Sequence, residues 1–198
     1  MLKLFYDKEA TGFPIWKEPS DHPDQPHIVQ MAAKLVDDDT RRTVQSINLI
    51  IKPDGWEIPA EVTEIHGITT EHAIDVGVDE ATAVQLMYSL SRVADKRIAY
   101  NESFDSRIMR IALKRYYGEN IAERWKAQQV ECTMRMSTPI CNLPKGNGRA
   151  GQKWPKLEEA YEFFTGKQME NAHSAMADVT ACIAVYFAIQ DFQAGDAA

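Results

Sequence analysis

Phe5-Tyr6-Asp7-Lys8-Glu9-Ala10-Thr11-Gly12 is the stretch on which the fold reading turns. It closes a short apolar run that opens the chain and reads as a strand from Met1 to Tyr6. Side chains two apart on a strand share a face, so Asp7 and Glu9 project together just before a glycine turn. Two carboxylates that close repel, and one resists ionising unless a cation joins them. An all-oxygen donor set of this kind suits Mg²⁺ or Mn²⁺ better than zinc. A solvated acidic strand end is the alternative reading of the same residues.

The remainder of the chain must supply partners for that pair. Its 198 residues suit one domain, with 44% hydrophobic and 26% charged residues. A formal charge of -7 argues against holding nucleic acid by bulk attraction, although a local basic patch or a bound metal reverses the field where it acts. The N-terminal run has no basic lead or small-residue cleavage site, so no secretory signal is expected. The longest apolar run, Ala181 to Ile189, is nine residues, against the roughly 20 of a spanning helix, so no membrane contact is expected. Cys132, Cys141 and Cys182 lack a CxxC spacing and fit free thiols in a reducing cytoplasm.

Downstream, Phe13 to Pro26 carries Pro14, Pro19, Pro23 and Pro26 and is read as a connection, with Trp16 as an aromatic that could stack on a base or pack on the body. His27 to Val36 and Thr43 to Ile51 flank a charged tip, Asp37 to Arg42, and read as a hairpin with a solvated turn. Pro59 and Gly67 bracket a short helix with His66 at its end. Asp79 to Val93 has helical apolar spacing, and Ile98 to Tyr100 is a short strand. Ser103 is the expected N-cap of a helix running to about Tyr117, with Asp105 in its first turn. Gln129 to Thr133 reads as a strand and Leu157 to Phe164 as a short helix. Between them, positions 143 to 156 hold four positive charges, Lys145, Arg149, Lys153 and Lys156, and no acid. That loop either meets a phosphate backbone or is solvated. The last helix, Ala175 to Phe192, is apolar on nearly every side and should lie against a sheet, leaving 193–198 as a frayed tail. Within it Asp178 is a lone charge and needs a cation or a metal.

Taken together, Asp7-x-Glu9 before a glycine turn, Asn101-x-x-Phe104-Asp105 heading a middle helix, and His173-x4-Asp178 on the last helix resemble the DEDDh pattern. The chain is thereby similar to the DnaQ-like 3′-to-5′ exonucleases. The resemblance implies an α/β, ribonuclease H-like mixed five-stranded sheet with helices on both faces, and one exonuclease domain over 1–192. Pro26 to Ala32 resembles the family's second strand, and Ile58 to Thr69 its loop before the long helix. Two departures stand out: Ala10 replaces the usual threonine, and Phe13 stands where a leucine commonly wedges against the terminal base. Ser174 occupies the slot where the other branch has its tyrosine, which places the chain in the histidine branch.

The resemblance also implies roles. Asp7, Glu9 and Asp178 hold one divalent ion, Mg²⁺ or Mn²⁺; Asp7 bridges to a second ion, and Asp105 acts mainly through water. Two ions about 4 Å apart clamp the attacking and leaving oxygens. His173 is the general base, since histidine can take a proton at neutral pH. Ala10, Thr11, Gly12, Phe13, His66 and Asn101 are the expected contacts of the terminal nucleotide. The implied substrate is the 3′ end of single-stranded DNA, giving nucleoside 5′-monophosphates, with an RNA end as the rival and a non-catalytic end-binding module as a further one. A polymerase or another replication or repair protein is the implied partner if the chain is not free-standing.

Overall fold

The computed structural model describes residues 1–146, 150–170 and 172–196. Five strands form one sheet in the order β3-β2-β1-β4-β5. Strand β1 (Leu2–Ala10) lies at its centre, antiparallel to β2 (Ile28–Asp37) and parallel to β4 (Lys96–Ala99). β2 pairs antiparallel with β3 (Thr43–Ile50), and β4 pairs parallel with β5 (Val130–Cys132). A central strand has both edges paired and both faces covered, which suits the apolar start of the chain. The expected hairpin is the β2–β3 pair. Its tip is less solvated than expected, because Asp38 bonds the buried Lys3 ammonium at 2.5 Å.

Alternation along β1 sorts two cores. Leu4 and Tyr6 join Met31, Ala33 and Leu35 beneath α3 (Glu80–Val93), α4 (Glu102–Tyr117) and α5 (Glu119–Lys126). On the other face Phe5 joins Ala32, Val36 and Ile98 against α6 (Thr133–Cys141), α7 (Leu157–Thr165) and α8 (Ala175–Asp196). This is the mixed five-stranded sheet with helices on both faces that the motifs imply. The short helices α1 (Ala60–His66) and α2 (Thr70–Val76) follow β3, with Pro59 and Gly67 capping α1 as expected.

Several boundaries differ from the sequence reading. Asn101, not Ser103, is the N-cap of α4, and its side chain accepts the Ser103 hydroxyl at 3.1 Å instead of a helix amide. Helix α6 was hidden by Pro139, which lacks the N–H for a helical bond, and ends at Asn142 in the left-handed region (φ 48). Helix α8 continues past Phe192 to Asp196, while 197–198 lie outside the described residues.

By length and composition, α8 is also apolar enough to cross a bilayer, contrary to what the nine-residue run suggested. In the fold one side of it lies against the sheet, where Ala175, Val179, Val185 and Ile189 are fully buried, while Phe192 is exposed. That is the environment expected of a helix apolar all round.

Candidate active site

Asp7 and Glu9 stand on the α8 side of β1, as the two-residue period requires. Asp178 meets them from the first turn of α8. One carboxylate oxygen from each of Asp7, Glu9 and Asp178 lies within 4.8 Å of the other two. Asp105 is not part of that tight set. It comes from the first turn of α4 and is buried, yet its charge weighs on both Asp7 and Glu9.

Among the described residues no ion pair reaches any of the four carboxylates. Buried oxygens of Asp105 and Asp178 accept no hydrogen bond. The consequence is a set of acids that hold their protons more tightly than ordinary carboxyls. Burial first, and then the neighbouring carboxylates Asp105, Asp178 and Glu9, push Asp7 well above the usual carboxylate range. Burial and the same kind of repulsion take Glu9 to about 8. Burial raises Asp178 to about 6, with the His173 imidazole and backbone N–H acting the other way. Burial also raises Asp105, while Lys8 opposes the shift. A carboxylate cluster with bare oxygens, no ion-paired cation among the described residues and Lys8 acting only from the opposite face of β1 fits a hard divalent ion, which would remove the repulsion.

Two polar side chains that the sequence reading passed over hold this geometry. Buried Gln30 lies opposite Glu9 on β2, and its Oε1 accepts the Ala175 N–H at 3.1 Å, tying the head of α8 to the sheet. Its Nε2 donates to Asn48 Oδ1 at 3.0 Å. A glutamine inside the apolar run Ile28 to Ala33 was the available signal. Glu80 accepts the Ile28 N–H at 2.9 Å and the Tyr116 hydroxyl at 2.7 Å, and lies 2.7 Å from His27 Nδ1. His27 in turn exchanges bonds with Thr11: Thr11 N–H to the His27 carbonyl at 2.9 Å, and His27 N–H to Thr11 Oγ1 at 3.0 Å. The turn after Glu9 is therefore anchored on both sides. Gly12 is not demanded by the protein itself, since a Cβ there would meet nothing within 4 Å. The space beside it is open to a ligand.

A cleft of about 640 Å³ opens beside the cluster, lined by Phe13, Asn101, Phe104, Trp154, His173 and Asp178 among others. His173 is exposed and sits in the left-handed region at φ 66, which breaks the chain just before α8 begins. That conformation costs a non-glycine residue about 1–2 kcal/mol, and such strain clusters at functional sites. Phe13 is 84% exposed and meets Phe104 edge-on at 5.9 Å. Ala10 is buried at the end of β1.

Among the expected contacts, His66, Ala10, Thr11 and Gly12 are not in the cleft lining, whereas Phe13 and Asn101 are. His66 Nδ1 accepts the Ile68 N–H at 3.1 Å. Trp16 opens onto a separate pocket of about 320 Å³ beside Arg107 and Arg110. Of the expected basic loop, 147–149, with Gly148 and Arg149, lie outside the described residues; on either side of them Pro144 and Gln152 form an antiparallel bridge.

A family model described as "Exonuclease" (RNase_T) matches residues 4–186. Similar solved structures include E. coli exonuclease I in complex with a dT13 oligonucleotide, with 25% identity and a TM-score of 0.76. That match covers 97% of this chain and 41% of that one. The same protein with a dA16 oligonucleotide matches at 24% identity and a TM-score of 0.76, with the same coverage of 97% and 41%. This chain thus spans about two fifths of the length of those structures. No curated protein sequence matches it.

Proposed function

On the premise that this chain belongs to the exonuclease family, matched over residues 4–186, we propose that it hydrolyses the last phosphodiester at the 3′ end of single-stranded DNA and releases nucleoside 5′-monophosphates. The observation that carries the reading is the Asp7, Glu9 and Asp178 cluster, which among the described residues has no ion-paired cation and which opens onto a cleft holding His173. The single-stranded oligonucleotides bound by the E. coli structures support the substrate class.

Asp7, Glu9 and Asp178 would hold one Mg²⁺ or Mn²⁺ ion, with Asp7 shared with a second and Asp105 beside them. Bound there, such ions would supply charge neutralisation to the phosphodiester under attack. The chain's own residues do the rest. Asp178 and His173 share the head of α8, so the segment that completes the acid cluster also sets the imidazole at the cleft. There His173 takes a proton from the attacking water. Gln30 keeps that segment in register with Glu9 through the Ala175 amide. Thr11, pinned by His27, and Gly12, with open space beside it, form the floor for the terminal nucleotide. Phe13, backed by Phe104, offers a ring to its base, and Asn101 lines the same space.

The test uses a 5′-labelled single strand of DNA and a matched RNA with Mg²⁺, Mn²⁺ or chelator. A ladder shortening from the 3′ end of the DNA, dependent on the ion, is expected. Loss of nucleotides from the RNA alone would move the assignment to an exoribonuclease. No release from either strand would leave an end-binding module.

A further inference from the structure

We propose that Trp154 is a nucleobase-stacking platform for the strand entering the cleft, an inference that rests on the reading of this cleft as a nucleic-acid site. Nothing in the mechanism above uses this residue. Its side chain is 63% exposed and lines the same cleft as Phe13, His173 and Asp178.

What sets Trp154 apart is that its backbone is held while its indole is not. The preceding residue is tied on two sides, Lys153 N–H to the Leu143 carbonyl at 2.9 Å and Lys153 Nζ to Glu159 at 2.5 Å. Gln152 Nε2 donates to Asn142 Oδ1 at 2.7 Å, and Lys145 N–H reaches the Gly151 carbonyl at 3.2 Å. On the other side the buried Tyr100 hydroxyl, from the end of β4, lies 2.9 Å from the Pro155 carbonyl and 3.0 Å from that of Lys156. A residue preceding proline is itself restricted to extended backbone. By contrast, among the described residues the indole takes part in no ring pair, no cation–π contact and no hydrogen bond. The other three tryptophans differ. Trp125 is fully buried, Trp56 stacks on His27 at 4.6 Å, and Trp16 faces a different pocket.

A large apolar ring carried on a fixed backbone yet left in water is positioned for a flat partner, because the backbone part of the ordering cost is met before binding. In a cleft that takes a nucleic-acid strand, that partner is a base. Exposed Lys156 lies two residues on, and exposed Lys145 is tied to Gly151 by its N–H; both are suited to the accompanying phosphates. An aromatic face beside cations is the arrangement by which single strands are gripped without regard to sequence. Trp154 therefore contributes affinity for a base of the strand and not the hydrolytic step.

The test measures binding, so its outcome does not depend on turnover. A 5′-fluorescein single strand is titrated by anisotropy with Ca²⁺, using the native chain, Trp154→Ala and Trp154→Phe. Each meets an intact strand and strands with an abasic residue at the first, second or third position from the 3′ end. Trp154→Ala should weaken binding of the intact strand about tenfold, and Trp154→Phe should recover most of it. At one of the three positions the abasic residue should weaken the native chain by the same factor, and Trp154→Ala should then add no further loss. An equal Trp154→Ala penalty on all three abasic strands, or no penalty on the intact one, overturns the proposal. If strands bind in this pattern but none is shortened with Mg²⁺ or Mn²⁺, the stacking role stands and the exonuclease reading falls.

Discussion

The two faces of strand β1 treat buried charge in opposite ways. Toward α4 and α5, Lys8 places its ammonium 4.1 Å from the centre of the Tyr6 ring. Nearby, the Arg97 guanidinium lies 3.4 Å over Trp125, donates to the Tyr6 hydroxyl at 3.2 Å and donates to the Trp125 carbonyl at 2.9 Å. Ring faces and one carbonyl compensate these cations in part, while Lys8 Nζ and Arg97 Nε have no hydrogen-bond partner and burial lowers Lys8 to about 8. Toward α8, Asp7 and Glu9 meet Asp178, and among the described residues no cation closes the set. The first face, with its rings, carbonyl and hydroxyl around the cations, is the more complete of the two and should govern stability. The other is incomplete and should govern chemistry.

The sharpest way to break this contrast is to remove an acid from the incomplete face. Asp7→Ala or Asp178→Ala should abolish nucleotide release while circular dichroism and cooperative melting stay native. If either variant unfolds, the cluster is a structural network. On the more complete face, Trp125→Ala should cost about 3–5 kcal/mol in a denaturant titration, because it opens a cavity and strips Arg97 of its ring. A cost of a few tenths would refute the stabilising role assigned to that face. Next in size, His173→Ala should slow turnover by about 10²-fold or more and leave divalent-ion binding nearly intact in calorimetry. Full rate at neutral pH would remove His173 as the base.

The smallest effect is on stability against pH. Glu9 at about 8 and Asp178 at about 6 both lie above their ordinary carboxylate values. Groups with raised folded-state pKa bind more protons when folded, so they favour the fold at low pH and lose that contribution as pH rises. In chelator the melting temperature should therefore fall from about pH 4 to pH 8, and Mg²⁺ should flatten the slope. Asp178→Asn should do so without the ion. A chelated protein whose stability is level across that window would mean the acids are already compensated.

Much of the incomplete face was legible in the sequence, since it depends on local periodicity. A strand period places Asp7 beside Glu9, and a lone acid in an apolar helix marks Asp178. The more complete face was less legible. The strand period puts Lys8 on the face away from Asp7, but its burial against Tyr6 depends on Trp125, far along the chain. Gln30 and Glu80 work through partners at distances of 145 and 52 residues, which no local pattern reveals. Asn101 displaced Ser103 as the cap of α4, since both are acceptable cap residues and the turn after β4 decides between them. Trp154 lies in the basic loop that the sequence leaves as either phosphate-binding or solvated, because the Tyr100 contact that fixes its neighbour Pro155 spans 55 residues.

The most direct test of the central claim is Mn²⁺ binding, measured by calorimetry, alongside 3′-end nucleotide release in the native chain and in Asp7→Asn. The account predicts that the native chain binds the ion and shortens a single strand only in its presence, and that Asp7→Asn loses both while remaining folded. Ion-independent shortening by the native chain, or shortening that survives in Asp7→Asn, would contradict it.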